Sequence, residues 1–555
     1  MRRFILSLII GCAGVSASAA AVSERVYIST DKDVYVAGDL IWCSAFCIDP
    51  STKQLSSASS VAYVEVSSTD GTVATGKIAL IDGRGSGVIP IPASAPTGNY
   101  RLLGYTSAEK GRSDLQEDSK LISIFSTLGT ARVSGGVEVV DGNEYSSPGE
   151  KASAGDISIS VGPYAARSSS IPVKLENRMG SAATLSLSVH VEDGIASPSA
   201  SSLVDFMDVH SAFKGEPVDI DGEVFHGRLV GNGIQDIVSD PNIVAAIAFP
   251  GMAKDVYVGR FKPDGTFAIP TVNVYGNRDL VCEILGHKGG SDCRMVIDSP
   301  FLHVGAGDVP LLKISPVTEQ ALLRRSLAMQ ADRKAGTDTL YDFMPKREST
   351  LLSDTYCVAY HLDDYVRFPT IRETILEITS GLRIRKGSDG KPQLQVLLQG
   401  VSDDRLVYSS DVLAMIDGVP VQDVQALLDF DCMLLGDILI YPYSYLFGDV
   451  VYKGLVDFVT KKGDISSFKF DKGVVIVDWQ GESYPVAYTC SRLPEGGQDL
   501  RGTLYWHPQV DLETSGGSTS IEVRTPSYPG VFKVVVEGLA SDGRPVRCET
   551  SFEVR

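Results

Sequence analysis

The spacing of apolar positions changes character twice along the chain. From Arg25 to Phe125 it runs in short stretches of period two, cut by sharp turns. Val26-Tyr27-Ile28-Ser29 reads as a strand and Thr30 to Asp33 as a turn. Val34-Tyr35-Val36 leads into the Ala37-Gly38-Asp39 turn, and a strand around Trp42 follows. Val61 to Val66, Val73 to Leu80, Asn99 to Tyr105 and Leu121 to Phe125 close the set, with Asp70-Gly71 and Asp82-Gly83 as hairpin turns. The spacing predicts a β-sandwich over 20–132. Gly, Ser and acidic residues crowd 133–154, which reads as a linker. Period two resumes at Ile157 to Val161, Ile171 to Leu175 and Leu185 to Val191, before a short helix over Ser201 to Phe213. Strands at Val218 to Leu229, Ile243 to Phe249, Val256 to Phe261, Thr266 to Ile269, Leu280 to Leu285 and Met295 to Ile297 extend a sandwich region over 155–314.

Helical spacing then takes over. Ser315 at an N-cap with Pro316 at the first helical position predicts a helix to about Lys334, stopped by Gly336. Leu323, Leu327 and Ala331 fall on one face of it, and 315–365 reads as a helical connector. Phe368-Pro369-Thr370 opens a second helix, with Ile371, Ile375 and Ile378 on one face. Strands at Leu382 to Arg385, Leu394 to Leu398 and Val412 to Ile416 follow, so 366–463 is expected to be a compact mixed α/β module. After Gly463 the chain returns to strands. Val474-Val475-Ile476-Val477 reads as a buried run, Asp542-Gly543 as a hairpin, and 464–555 as one more sandwich. The fold class expected is mainly β: tandem β-sandwiches, one mixed α/β domain, and no transmembrane barrel.

The first residues modify this picture. Arg2 and Arg3 precede the apolar run Phe4 to Ile10, and Ala17-Ser18-Ala19 is a small-x-small site. The run is far shorter than the roughly 20 residues a spanning helix needs. It reads as a secretory signal over 1–19, cleaved after Ala19. Ile9-Ile10-Gly11-Cys12 offers lipoprotein processing as the rival, and the Arg pair a twin-arginine one. The expected location is exported, in the periplasm or associated with an outer membrane.

Composition supports ordinary globular cores, with 43% hydrophobic and 21% charged residues in 555. The formal net charge of −19 and the lack of a basic cluster remove the electrostatic case for nucleic acid. Nine cysteines are too few for a disulfide scaffold in so long a chain. On a strand, Cys43 and Cys47 share a face but lie about 13 Å apart, too far to bridge. Buried free thiols are the expectation there. Cys282 and Cys293 flank a Gly-rich turn and could pair across a hairpin.

Candidate chemistry is sparse. His190, His210, His226, His287, His303, His361 and His507 have no second His or Cys at metal-ligand spacing. Gly83-Arg84-Gly85-Ser86-Gly87 lacks the spacing of a nucleophile elbow and reads as a turn between strands. Asp219, Asp221 and Gly222 miss the calcium-loop spacing. Asp363-Asp364 and Asp403-Asp404 read as solvated loops. No catalytic, cofactor-binding or metal-binding residue is singled out, and the chain is expected not to be an enzyme.

Three stretches carry a resemblance. Tyr27-Ile28-Ser29-Thr30-Asp31-Lys32-Asp33-Val34-Tyr35-Val36-Ala37-Gly38-Asp39 resembles the opening of the MG2 domain of alpha-2-macroglobulin-like proteins, and Pro96 to Leu102 its later strand. Leu413-Ala414-Met415-Ile416-Asp417-Gly418-Val419-Pro420-Val421, with Tyr445 to Gly448 and Gly454 to Gly463, resembles the plug domain of TonB-dependent receptors. Asp499-Leu500-Arg501-Gly502-Thr503-Leu504-Tyr505-Trp506-His507-Pro508 resembles a signature of Bacteroidota proteins that combine these modules. Residues 215–300 are similar to carboxypeptidase regulatory-like sandwiches. The departures matter as much. A thioester macroglobulin carries C-G-E-Q, which is missing here, so covalent trapping of proteases is not implied. A receptor barrel needs roughly 300 residues after its plug, and Asp464 to Arg555 is much less.

The resemblance therefore implies a non-catalytic envelope protein whose plug-like module docks on an outer-membrane or periplasmic protein. The alternative is a macroglobulin-like protease inhibitor or sensor, with Val133 to Ala154 as its bait. No cofactor is expected.

Overall fold

The structure, a computed structural model, describes residues 21–127, 133–140, 156–195, 198, 201–208, 213–251, 255–272, 274–287, 292–305, 307–315, 318–335, 342–343, 355–400, 406–447, 450–487, 498–514 and 516–555. The expected signal segment with Cys12, most of the expected linker, His210 and Asp403-Asp404 lie outside the described residues.

The first sandwich follows the alternation closely. Strands Arg25–Thr30, Leu40–Asp49 and Arg84–Pro90 pair on one side. Gly71–Ala79, Val61–Ser68, Gly98–Tyr105, Lys120–Phe125 and Val34–Val36 pair in that order on the other. The two sides meet at one residue pair, Val26 and Gly104. Val26, Ile28, Ile41, Cys43, Val64, Ile78, Ile89 and Leu102 fill the space between them. The turn before Arg84 needs positive φ at two residues, and Asp82 (51°) and Gly83 (76°) supply it. A Cβ on Gly83 would lie 2.6 Å from the Ser56 carbonyl oxygen, so this turn tolerates only glycine there.

The tail is where the architecture departs from expectation. Residues 464–555 do not form a sandwich of their own. Ser518–Arg524 joins Ile157–Val161 and Ser170–Asn177 in a three-stranded sheet. Thr503–Leu512, Gly530–Ala540 and Pro545–Val554 join Ala183–Glu192 and Tyr164–Ala165 in a five-stranded one. Those two sheets enclose a single core built by Val173, Leu175, Leu187, Val189, Val523, Val534 and Phe552. Val475–Gln480 instead becomes the edge strand of a third sandwich, beside Asn277–Leu285. Val475 and Val477 pack on that core while Ile476 is half-exposed, so the run alternates after all. An edge strand has one face to bury, which is why a run of four apolar residues is not buried on both. The two strand groups of 155–314 belong to two sandwiches, each completed from the tail. No sheet closes into a barrel among the described residues, and no helix is long and apolar enough to cross a membrane.

The connectors also differ. Val137–Val139, expected within the linker, pairs in parallel with Leu312–Ile314. The long helix spans Thr318–Ala335, but Leu323 and Leu327 face solvent at 62% and 47% exposure. Ala321, Arg325 and Ala328, at spacings of four and three, take the inner face instead. Arg325 decides this: it holds Asp193 at 2.7 Å and donates to the Val34 carbonyl at 2.6 Å. The shorter helix Leu203–Asp208 lies within the expected 201–213.

Candidate docking surface

The mixed α/β unit begins earlier than its helix. Val358–His361 opens it as the outer strand of a five-stranded sheet, next to Leu435–Phe447, Val450–Thr460, Leu413–Ile416 and Val419–Pro420. A three-stranded sheet, Leu382–Lys386, Pro392–Leu398 and Val407–Ser409, packs with helices Ile371–Glu377 and Val424–Leu428. The first helix starts where its sequence says it should: the Thr370 side chain accepts from the Glu373 amide, and Ile371 and Ile375 are buried. Ile375, Val396, Ile416, Leu427, Ile438 and Phe458 share one core, which reaches out to Tyr360 and Phe468. The boundaries are therefore wider than 366–463, because Val358–His361 pairs with Leu435–Phe447 and Phe468 stacks near Phe430.

The residues that carry the plug resemblance meet one another here. Asp417, fully buried, accepts from the Thr460 amide at 2.8 Å and from its hydroxyl at 2.7 Å. Gly418 donates to Asp457 at 3.0 Å. The hairpin turn and the end of strand Val450–Thr460 are thus clasped together. The other two signatures are clasps as well. Asp31 accepts from Tyr35 and Thr503, and Lys32 reaches Asp39 at 3.1 Å. Arg501 holds Asp499 at 2.7 Å and the Leu504 carbonyl at 2.9 Å. All three motifs hold the fold.

The surface of this unit is less ordinary. Arg367 donates to the carbonyls of Leu435 at 2.8 Å and Cys432 at 3.3 Å, and the Cys432 amide donates to the Pro369 carbonyl. Those bonds tie the segment that follows Tyr365 and Val366 to the one that carries Met433 and Leu434. Their exposures are 44%, 78%, 51% and 41%. Charged groups frame them: Asp363 pairs with Arg367 and with Lys461, the latter at 3.5 Å. His361 ends the adjoining strand, hydrogen-bonded to Asp437 at 2.6 Å, which raises it above the usual imidazole range. At the other end of the long hairpin, Leu446 and Val451 face each other across the strands and both are exposed. Tyr356 meets Tyr443 edge-on there, at 6.2 Å.

Other residues of interest prove structural. Cys43 and Cys47 are buried free thiols on one strand, as expected. Cys282 and Cys293 are also free. Cys282 lies on strand Asn277–Leu285 and Cys293 precedes strand Arg294–Ile297 of the other sheet, so the two strands do not form a hairpin that would pair them. Burial pushes the Cys282 thiol up to about 12, which makes it a poor nucleophile. Arg84 stacks on Phe46 at 3.7 Å and donates to the Pro508 carbonyl, tying the first sandwich to the second. Asp219 accepts from Tyr63, tying the first to the third. Among the described residues no group of three or more His, Cys, Asp or Glu side chains could hold a metal ion.

No known family profile matches the sequence, and no curated protein matches it. Solved structures with some likeness include a Salmonella alpha-2-macroglobulin, with a TM-score of 0.24 and 10% identity over all of this chain and 40% of that one. The native form of Escherichia coli alpha-2-macroglobulin gives 0.24 and 9% over 97% of this chain and 40% of that one. The E. coli adhesin FdeC gives 0.15 and 11% over 48% and 62%. The chain spans about 40% of the length of these macroglobulins. Superpositions at this level do not fix a shared topology.

Proposed function

We propose that the chain is a non-catalytic cell-envelope protein that binds a protein partner through its mixed α/β unit, with the sandwiches as its scaffold. The observation that carries this is the exposure of Tyr365, Val366, Met433 and Leu434 on two segments that hydrogen bonds tie together. Four large apolar side chains stand in solvent on those segments, near the charged groups Asp363, Arg367 and Lys461. Scattered exposed apolar residues are ordinary on a protein surface, but an apolar centre with a charged rim is the anatomy of a docking site. Backbone hydrogen bonds already hold both segments, so docking needs little reordering and loses little entropy. The partner we favour is a protein of the outer membrane.

The test is site-specific photo-cross-linking in intact cells. A photoreactive residue at Val366 should give one dominant cross-linked product, recovered with the outer membrane. The same residue at Leu323, which is equally apolar and exposed but distant in sequence, should not. Equal products from both positions would remove the case for a specific surface.

A further inference from the structure

A second feature lies between the first and second sandwiches. Along Ala183–Glu192, Leu185, Leu187 and Val189 enter the core, so Ser186, Ser188 and His190 point to the opposite face. Cross-strand pairing places Glu537, Val535 and Lys533 beside them, and Trp506 opposite Ser188. On a lone sandwich that face would meet water. Here the first sandwich covers it: Ser29 bonds Ser186 at 2.9 Å, Tyr27 donates to Glu537 at 3.0 Å, and Ser188 bonds the Asp31 carbonyl. The cover is incomplete. It leaves a small polar cavity that opens to solvent.

Two properties of this cavity point to a ligand. The first is its charge. Lys32, Lys120, Lys533 and Arg547 line it, against Asp33 and Glu537, in a chain whose formal net charge is −19. His190 adds no charge at neutral pH, because burial and the neighbouring cations lower it to about 3. The cations have carboxylate neighbours: Lys120 with Asp33 at 2.6 Å, Lys533 with Glu549 at 2.8 Å, Lys32 with Asp39 at 3.1 Å. An ammonium carries three N–H donors, so one carboxylate does not exhaust it. The second property is Trp506. It is 1% exposed, and its indole N–H has no hydrogen-bond acceptor. Such a group destabilises the fold while it stays unmet. An indole N–H can only donate, so what completes it must be an acceptor.

We propose that this cavity binds a small oxyanion, a carboxylate or phosphate group, with Lys533, Lys120 and the Trp506 indole as donors. The site would fasten the first sandwich to the second, since Lys120 belongs to one and Lys533 and Trp506 to the other.

The experiment uses the full mature chain with its tryptophans labelled for NMR, titrated separately with inorganic phosphate and with succinate. Trp506→Phe assigns the resonance. A saturable shift of the Trp506 indole N–H by either anion supports the site, and the anion that acts at lower concentration identifies the source. Lys533→Met should weaken that binding by about tenfold or more, the usual effect of losing one hydrogen bond to a charged group. Lys533 is partly exposed on a strand, so this variant remains informative if Trp506→Phe folds poorly, and circular dichroism checks its fold. No shift at millimolar anion would overturn the proposal. So would a shift that Lys533→Met leaves unchanged.

Discussion

Glu482 is the residue with the most anomalous surroundings. It is fully buried where the first and third sandwiches meet, and neither carboxylate oxygen has a hydrogen-bond partner. Its backbone bonds Val274 and Gly276, and the next residue bonds Lys77 and Val88, so the side chain has nowhere to retreat. Burial, and then the Glu223 carboxylate beside it, raise its pKa to about 8, with Lys77 pulling the other way. The folded chain therefore keeps this proton while the unfolded chain, near the ordinary value of 4.5, has lost it. Stability is full below the unfolded value, falls by about 1.4 kcal/mol per pH unit as pH rises toward the folded value, and is flat beyond it. Unfolding in urea at both ends of that window should show the slope, and Glu482→Gln should make it shallower by about 1.4 kcal/mol per pH unit, leaving the share of other raised carboxyls such as Glu283. An unchanged slope in the variant would mean another group is responsible. His361 tests the opposite kind of site. It is exposed, and its pKa is raised chiefly by its hydrogen bond to Asp437 and by that carboxylate's charge. An NMR titration should place its midpoint above that of an ordinary imidazole, and Asp437→Asn should bring it down. Neither site was legible in the sequence, because what isolates Glu482 and what faces His361 are both brought there by distant strands.

Single elements were read more reliably than their partners. The Asp82-Gly83 turn, the strands of the first sandwich and the Thr370-capped helix follow from local rules, and local geometry decides them. Pairing does not follow from such rules. Strand Ala183–Glu192 takes its neighbours from residues more than 300 positions later, and nothing in its own alternation encodes that. The inner face of helix Thr318–Ala335 was misread for a related reason. Arg325 finds its partner on the loop after strand Ala183–Glu192, and that ion pair outweighs the apolar stripe of Leu323 and Leu327. Strand Gly71–Ala79 shows how one side chain joins elements. Lys77, 1% exposed, places its ammonium 2.6 Å from Glu223 and 4.2 Å from the Trp479 ring. Lys77→Met would leave Glu223 buried without a counter-charge, and a loss of about 3–5 kcal/mol is expected in chemical unfolding. Adding Glu223→Gln should recover part of it. If the double variant is no more stable than the single one, the pair is not what joins the two sandwiches.

Across the whole molecule, the tail acts as a fastener. The final strands complete the second sandwich, and Val475–Gln480 edges the third, so both depend on residues after Gly463. Ending the chain at Gly463 should therefore expose the cores of both. Hydrogen exchange should show lost protection at Ser170–Asn177 and Ala183–Glu192, while Arg25–Thr30 and Leu40–Asp49 retain theirs. A truncated chain with full protection in 170–192 would restore the idea of an independent C-terminal domain. The mixed α/β unit has its own core, which among the described residues takes only Phe468 and Phe470 from those after Gly463. Its junction with the third sandwich is apolar, built by Val281, Met415, Val419 and Leu455, with Gln422 bridging Glu283 and Gly286. The measurement that bears most directly on docking is the affinity of the partner captured through position 366 for purified mature protein and for the Val366→Ser, Met433→Ser double variant. Removing two apolar side chains from the centre of an interface should weaken binding by about a hundredfold, with folding unchanged. Equal affinity for the two proteins would show that the partner is held elsewhere and that this surface is not the docking site.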